Sequence, residues 1–219
     1  MIGIVDYRAG NLTSVARALR YLGEDCQITD DPAILASCSH IIFPGVGAAG
    51  EAMANLRERK LDHWLKTWVV DGIPILGICL GTQVIFSASE ENDTTCLGIV
   101  PGTVKRFPDL ADADGRPFKI PHMGWNQVHF TRQHPVFRDI PPGAEFYFVH
   151  SYYPDPVTTS GTDGAGDNWI IGQTEYGFTF CSAVARKNLV AVQFHPEKSG
   201  RPGLQILANF CRWRGRDAE

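Results

Sequence analysis

The segment Ile73–Gln83 reads IPILGICLGTQ and joins an apolar run to a stretch of helical character. The apolar run is typical of a parallel strand buried on both faces. Cys79 follows it in a G-x-C-x-G pattern, the sequence form of a nucleophile elbow between strand and helix. Side chains at Gly77 and Gly81 would collide with neighbouring elements, so the pattern predicts a sharp turn that holds the thiol beyond the carboxyl end of the sheet. The start of the following helix favours the thiolate.

Around this elbow, short β-like runs alternate with helical stretches. This rhythm predicts an α/β fold with a mostly parallel central sheet flanked by helices. The expected strands are Ile2–Asp6, Asp25–Thr29, His40–Gly45 and Ile73–Cys79. The expected helices are Asn11–Leu22, Ala48–Asp71 in one or two pieces, and Leu80–Ser87. In the first of these helices, Asn11 is the expected N-cap and Gly23 the C-terminal stop.

The second half of the chain has a different pattern. Between residues 97 and 180, the runs GTVKRF, WNQVHF, EFYFVHSYY, WIIGQT and FTFCSAV are separated by Pro, Gly and Asp, which predicts an additional antiparallel portion. Pro154–Asn168 is expected to be a long polar loop. Leu189–His195 is expected to be a strand and Pro202–Arg214 a helix. Because no linker interrupts the composition, we expect a single domain over residues 1–219.

Composition narrows the class of protein. The 219 residues are 44% hydrophobic and 20% charged, with a formal net charge of −4, which is typical of a globular protein and gives no basic footprint for nucleic acid. No apolar run reaches the ~18 residues of a membrane span, and the N-terminus does not have the form of a signal peptide. Six scattered cysteines without a C-x-x-C pair favour a reducing compartment, the cytoplasm, with the other five thiols as core residues.

A cysteine nucleophile needs a base and a group that orients the base. Among seven histidines, His195 stands out because it ends the apolar strand and is followed by Pro196 and Glu197. Proline favours an extended or turning backbone, so His195 and Glu197 can lie on one side of the loop, where the carboxylate can hold the imidazole in the required tautomer. We therefore expect Cys79, His195 and Glu197 to form a catalytic triad.

The same chemistry needs donors for an oxyanion. The amide of Leu80, at the start of the helix, is one candidate. The glycines of PGVGAAG, Pro44–Gly50, let backbone amides turn towards a ligand, so an amide within Gly45–Val46–Gly47, of Val46 or Gly47, is the second. The alternative is a phosphate-binding loop, but the stretch lacks the Lys-Ser/Thr of a P-loop and the complete G-x-G-x-x-G.

These motifs resemble those of a known family. GICLGTQ, HPEKS and the upstream PGVG are similar to the motifs of class I, triad-type glutamine amidotransferases. With DYRAGN, HMGWN and YFVHSY, the pattern resembles the family of glutaminase subunits of imidazole glycerol phosphate synthase, and the matching blocks run from Asp6 to Ser199.

The resemblance implies an enzyme of histidine biosynthesis that hydrolyses L-glutamine through a γ-glutamyl thioester, without a cofactor or metal. Gly47, Gln83, Ser151 and Tyr152 would line the glutamine pocket. The ammonia would pass to a partner cyclase of (β/α)₈-barrel fold in a heterodimer, which forms imidazole glycerol phosphate and aminoimidazole carboxamide ribotide.

The resemblance also implies a docking face around the mouth of the site. Four residues match positions of this face: Asn11, Trp125, Tyr147 and Lys198. Their ordinary interpretations are, in the same order, a helix cap, a core aromatic, a strand aromatic and a solvated lysine. The chain departs from the family at Arg8, where glycine is usual, and in the long loop Pro154–Asn168. Both departures concern docking and not the chemistry.

Three other functions fit parts of the pattern. A cysteine-type α/β-hydrolase has the same elbow, but it usually places its acid between nucleophile and histidine. An inactive docking subunit would need none of the triad. A glutaminase of the same family could serve a different acceptor synthase, because acceptor chemistry belongs to the partner.

Overall fold

The computed structural model describes residues 1–111, 114–158 and 168–216. Within them the strands are β1 (Ile2–Val5), β2 (Cys26–Thr29), β3 (His40–Gly45), β4 (Ile75–Cys79), β5 (Phe86–Ser89), β6 (Thr94–Thr95), β7 (Val100–Arg106), β8 (His122–Gln127), β9 (His129–Phe130), β10 (Glu145–His150), β11 (Tyr152–Pro156), β12 (Ile170–Glu175), β13 (Thr179–Arg186) and β14 (Leu189–Val192). The α-helices are α1 (Leu12–Tyr21), α2 (Pro32–Ala36), α3 (Ala49–Glu58), α4 (Leu61–Asp71), α5 (Leu80–Val84) and α6 (Gly200–Arg212).

The central sheet has eight strands in the order β2-β1-β3-β4-β14-β13-β12-β9. Its first five strands are parallel, and the remaining pairs are antiparallel. Two smaller groups of strands, β10-β8 and β11-β7-β5-β6, lie outside it. The predicted fold class, a mostly parallel sheet with an added antiparallel portion, is confirmed. The prediction of one domain stays a prediction.

Side chains alternate between two hydrophobic cores, one on each face of the sheet. Along β4, Leu76 and Ile78 belong to one core, whereas Ile75 belongs to the other. The first core includes buried residues of α1 and α6, and the second includes residues of α3 and α4. Burial on both faces explains why β1, β4 and β14 are apolar throughout.

Several predicted boundaries are wrong. The helix after the elbow ends at Val84, because Phe86 pairs with Val100 in a parallel strand that local sequence cannot reveal. WNQVHF divides into β8 and β9, which belong to different sheets, and EFYFVHSYY divides at Ser151. The last helix begins two residues earlier than expected, at Gly200.

The predicted loop Pro154–Asn168 is wrong at its start, because β11 continues to Pro156 and pairs with β7. Residues 159–167 of that loop lie outside the described residues. The helical stretch Ala48–Asp71 forms two helices, α3 and α4, as one of the two expected arrangements.

Candidate active site

The turn between β4 and α5 has the backbone of a strained elbow. Cys79 adopts φ 54 and ψ −109, a region that L-residues rarely occupy. A Cβ at Gly77 would lie 2.8 Å from the Ala191 Cβ, and one at Gly81 would overlap the backbone carbonyl of Phe43. The collisions predicted from G-x-C-x-G are therefore present, with the neighbouring strands β14 and β3.

Three adjacent parallel strands bring the candidate residues to one edge. Gly45 at the end of β3 pairs with Cys79 at the end of β4. On the other side of β4, Val192 pairs with Ile78, so His195 follows β14 just beyond the elbow. The Thr82 hydroxyl donates to the Val192 carbonyl at 2.6 Å and holds α5 against this strand.

His195 is fixed by its neighbours. Its amide donates to the Tyr147 carbonyl at 2.9 Å, and its own carbonyl accepts from the Ser199 hydroxyl at 2.6 Å. Its Nδ1 lies 2.8 Å from Glu197 Oε1, and both side chains are fully buried. A carboxylate only accepts, so Nδ1 carries the proton and Nε2 faces away from Glu197.

The sulfur of Cys79 is the reactive neighbour of this imidazole. Nε2 of His195 has no hydrogen-bond partner among the described residues, and Cys79 lies close enough to raise the pKa of the imidazole. The three predicted residues thus lie together.

The net effect on His195 is a raised pKa. Burial is the strongest influence and lowers the pKa, but Cys79 and then Glu197 together raise it to about 9. The raised pKa favours the protonated imidazole, because the negatively charged Glu197 lies beside it and Cys79 acts in the same direction.

This raised pKa predicts a pH-dependent stability. Because the folded-state pKa of His195 exceeds its ordinary value of 6.5, the stabilisation is fully present below that value and is lost as pH rises through about 9. We expect wild type to lose free energy of unfolding relative to Cys79→Ala over this interval. Urea unfolding of both proteins at several pH values measures the difference, and a difference that does not change with pH would contradict the pairing.

A cavity of about 370 Å³ opens beside Cys79, within the size range of small-molecule sites. The predicted oxyanion and substrate residues all line it: Val46, Gly47, Leu80, Gln83, Ser151 and Tyr152. Gly47 has φ +112, a conformation that favours glycine. Their assigned roles stay predictions, but all six line the same cavity.

Sequence reasoning missed two residues of the site, Glu91 in this cavity and Gln193 beside the Cys79 sulfur. Glu91 is the single carboxylate among the described lining residues, and its Oε2 accepts from the Ala49 amide at 2.6 Å. Gln193 is fully buried and contacts the Cys79 sulfur. A glutamine inside the apolar run LVAVQFH was the available signal for Gln193, because buried amides need partners. Glu91 had no comparable signal.

Asn11 stands at the N-cap of α1 as predicted, but its side chain does not make the expected capping hydrogen bond. It occupies the N-cap position with φ 76 and makes no capping bond. Its Nδ2 instead donates to Glu197 Oε1 at 2.6 Å and lies 3.4 Å from His195 Nδ1. The left-handed backbone turns the amide towards the carboxylate, which is a tertiary contact that no local pattern reports.

The other three docking candidates form one patch. Trp125 pairs with Tyr147 across β8 and β10, with ring centroids 6.1 Å apart. The Lys198 ammonium lies 5.8 Å from the Tyr147 ring centroid. Trp125 is 54% exposed, so it is not the core aromatic of the alternative interpretation. Arg8, where the family has glycine, adopts φ 64, the left-handed region that glycine tolerates best.

The remaining cysteines differ from Cys79 in their surroundings. All six cysteines, each of which the structure describes, are free. Burial raises the pKa of the Cys96 thiol to about 11 and of the Cys181 and Cys211 thiols to about 12. Within the described ranges, no group of His, Cys, Asp and Glu could hold a metal ion, and no helix is long and apolar enough to cross a bilayer.

Comparisons with known proteins agree over the whole chain. The sequence profile described as "Glutamine amidotransferase class-I" matches residues 3–213. The "Imidazole glycerol phosphate synthase subunit HisH" of Maridesulfovibrio salexigens is 52% identical over 214 residues, covering 97% of each chain. The protein of the same name from Desulfovibrio desulfuricans is 49% identical over 224 residues, covering 100% of this chain and 98% of the relative.

Solved structures share the fold. One described as a glutamine amidotransferase superposes with a TM-score of 0.69 at 17% identity, covering 96% of this chain and 98% of the other. PurLQS from Thermotoga maritima gives a TM-score of 0.69 at 16% identity, with coverage of 96% and 97%. At this identity the likeness concerns architecture alone.

Proposed function

Since this chain belongs to the class-I glutamine amidotransferase family, we propose that it is the glutaminase subunit of imidazole glycerol phosphate synthase in histidine biosynthesis. The observation that carries the proposal is the placement of Cys79, His195 and Glu197 at one edge of the sheet. Relatives named as this subunit match over nearly their full length. Family membership also separates the chain from the α/β-hydrolases with a similar elbow.

The reaction follows from the charges at the site. The Cys79 sulfur attacks the side-chain carbonyl carbon of glutamine, and the tetrahedral oxyanion is held by the amide of Leu80 and one within Gly45–Val46–Gly47. His195 gives its proton to the departing ammonia and then takes one from the water that hydrolyses the γ-glutamyl thioester. Glu197 keeps the imidazole in the tautomer that both steps need.

The cavity suits glutamine. Glutamine carries an ammonium and a carboxylate on its α-carbon, so its pocket needs a negative group and several backbone partners. Glu91 supplies the negative charge, and Gly47, Ser151 and Tyr152 supply the backbone. Gln83 contributes differently from the family-based expectation, because its amide nitrogen already donates to the Tyr152 carbonyl and to Gln193.

As a subunit of a synthase, the protein works with a cyclase partner. We propose that this partner has a (β/α)₈-barrel fold, forms a heterodimer and receives the ammonia directly. Trp125, Tyr147 and Lys198, with Asn11 behind them, are the proposed docking patch, and exposed Met123 extends it along β8. Aromatic residues of this kind anchor interfaces. The cytoplasm is the expected compartment.

The test is glutamine-dependent synthesis with the cyclase. We expect slow glutamine hydrolysis by the purified chain and faster hydrolysis when the cyclase and its ligand are present, because Gly47, with φ +112 and open space around its Cα, can gain or lose its donor geometry at little steric cost. Steady-state glutamate release with and without the partner measures the change.

Ammonium salts supplied to the cyclase alone are the control for the synthase step. Equal glutaminase rates with and without partner would overturn the coupling. Glutamine hydrolysis without synthesis in this mixture would favour the alternative, a glutaminase of the same family that serves another acceptor synthase.

A further inference from the structure

Gln193 occupies a buried position next to the nucleophile. It follows β14 and precedes His195 by two residues, and it has no exposed surface. Its backbone amide donates to the Ser182 carbonyl at 2.9 Å. The backbone of Gln193 is therefore anchored on β13, and its side chain lies towards Cys79.

The orientation of the Gln193 amide is dictated by a chain of hydrogen bonds. The Tyr152 carbonyl can only accept, so the group of Gln83 that lies 3.0 Å from it is the amide nitrogen. The same nitrogen lies 3.0 Å from the Gln193 side chain, which must therefore present its oxygen. The nitrogen of Gln193 then faces Cys79, with Nε2 3.7 Å from Sγ.

Two buried histidines fix the Tyr152 carbonyl, the first acceptor in this series of hydrogen bonds. His150 Nδ1 lies 2.7 Å from the Tyr152 carbonyl and therefore carries a proton, so its Nε2 accepts from His122 Nδ1 at 3.1 Å. Burial lowers the pKa of His150 to about 3 and that of His122 to about 4, so both rings are neutral. With two donors fixed on it, the Tyr152 carbonyl is a rigid reference point for Gln83.

We propose that Gln193 is a further catalytic residue, which donates a hydrogen bond from Nε2 to the Cys79 sulfur and holds the thiolate in position for attack. The proposal rests on the proposed function, because it concerns the nucleophile of that reaction. Hydrogen bonds to a charged acceptor are stronger than bonds between neutral groups, so the contact is strongest when the sulfur is charged for attack.

The other titratable groups that face the sulfur belong to different elements. His195 follows β14, and Tyr7 follows β1 with a fully buried hydroxyl whose pKa is raised by burial and by the charge of Cys79. His195 acts by giving and taking a proton in the proposed reaction. Gln193 does not titrate, so removing it changes the sulfur without removing a base.

The test compares Gln193→Met with wild type by alkylation of Cys79 with iodoacetamide, followed by peptide mass spectrometry across a pH series. Methionine keeps the length and loses the donor. We expect the alkylation rate of Cys79 at neutral pH to fall roughly 10-fold or more, and its midpoint to move to higher pH. In the glutaminase assay, kcat should fall while KM for glutamine changes little.

Thr174→Val is the matched control. Thr174 is 2% exposed, its hydroxyl donates to the Ser182 hydroxyl in the same sheet, and none of its hydrogen bonds among the described residues reaches the sulfur. This variant loses a buried hydrogen bond but should keep the wild-type alkylation profile. If Gln193→Met does not fold, Gln83→Met decides the question, since it removes the group that orients Gln193. An unchanged Cys79 profile in the folded variant overturns the proposal.

Alkylation needs no glutamine, so the two proposals fail separately. A wild-type protein that shows the predicted profiles but never hydrolyses glutamine with its partner would remove the proposed function and leave the Gln193–Cys79 contact. Normal hydrolysis with an unchanged Gln193→Met profile would do the reverse.

Discussion

Replacing Cys79 with alanine is expected to lower glutamine hydrolysis by roughly 10⁴-fold or more, because in the proposed mechanism the sulfur is the atom that forms the thioester. The remaining oxyanion donors and the pocket cannot supply a covalent step. Glutamate release, measured with the cyclase present, tests this. The variant should fold, because Cys79 is a small residue and alanine at this turn would adopt the same strained φ of 54.

Synthesis with ammonium salts is the control for Cys79→Ala. If the partner still makes product from ammonium salts in the presence of the variant, the synthase step is intact and the loss lies in glutamine hydrolysis. Glutamine-dependent product formation at the wild-type rate would instead support the inactive docking subunit, and the proposed role of Cys79 would be withdrawn. Cys96→Ala, at a buried thiol outside the site, should retain activity.

Replacing Gly81 with alanine is expected to destabilise the fold by about 3 kcal/mol or more, a cost at the upper end for overpacking. The new methyl group would overlap the Phe43 carbonyl oxygen and lie 2.8 Å from the carbonyl carbon. Backbone atoms of a central strand cannot move aside as a side-chain tip can. Urea unfolding gives the free energy, and glutaminase activity should fall with it because β3 also leads to Gly45–Val46–Gly47.

Gly50→Ala separates this steric effect from a general cost of replacing glycine. Gly50 lies in α3, and a Cβ there would have the Thr94 hydroxyl oxygen as its nearest neighbour at 3.4 Å. Alanine favours helix over glycine by about 1 kcal/mol, so this variant should be as stable as wild type or more so. Equal stability of Gly81→Ala and wild type would show that the elbow is not sterically required.

Local sequence patterns predicted those features whose geometry depends on residues close together in the sequence. Gly77, Cys79 and Gly81 lie within five positions, and their steric demand is the same wherever the strand lies in the sheet. His195 and Glu197 are two positions apart, so the turn at Pro196 could be anticipated. Their hydrogen bond of 2.8 Å agrees with that expectation.

Local sequence patterns failed where the residues in contact are far apart in the sequence. The predicted helix Leu80–Ser87 runs into the first two residues of the strand Phe86–Ser89, because the partner of that strand, β7, lies further along the chain. Asn11 was assigned as a helix cap, yet its side chain reaches Glu197, 186 positions away. In both cases the deciding contact is tertiary, and short-range periodicity contains no information about it.

By itself, the sequence determined the chemistry available to this protein: a thiol in a strained turn, an imidazole after a buried strand and a carboxylate beside it. Only the tertiary structure decided which groups act together, because strand order places β3, β4 and β14 side by side. That order brings Gln193 to a sulfur 114 positions earlier in the chain, where a buried amide must find a partner and the nucleophile provides it.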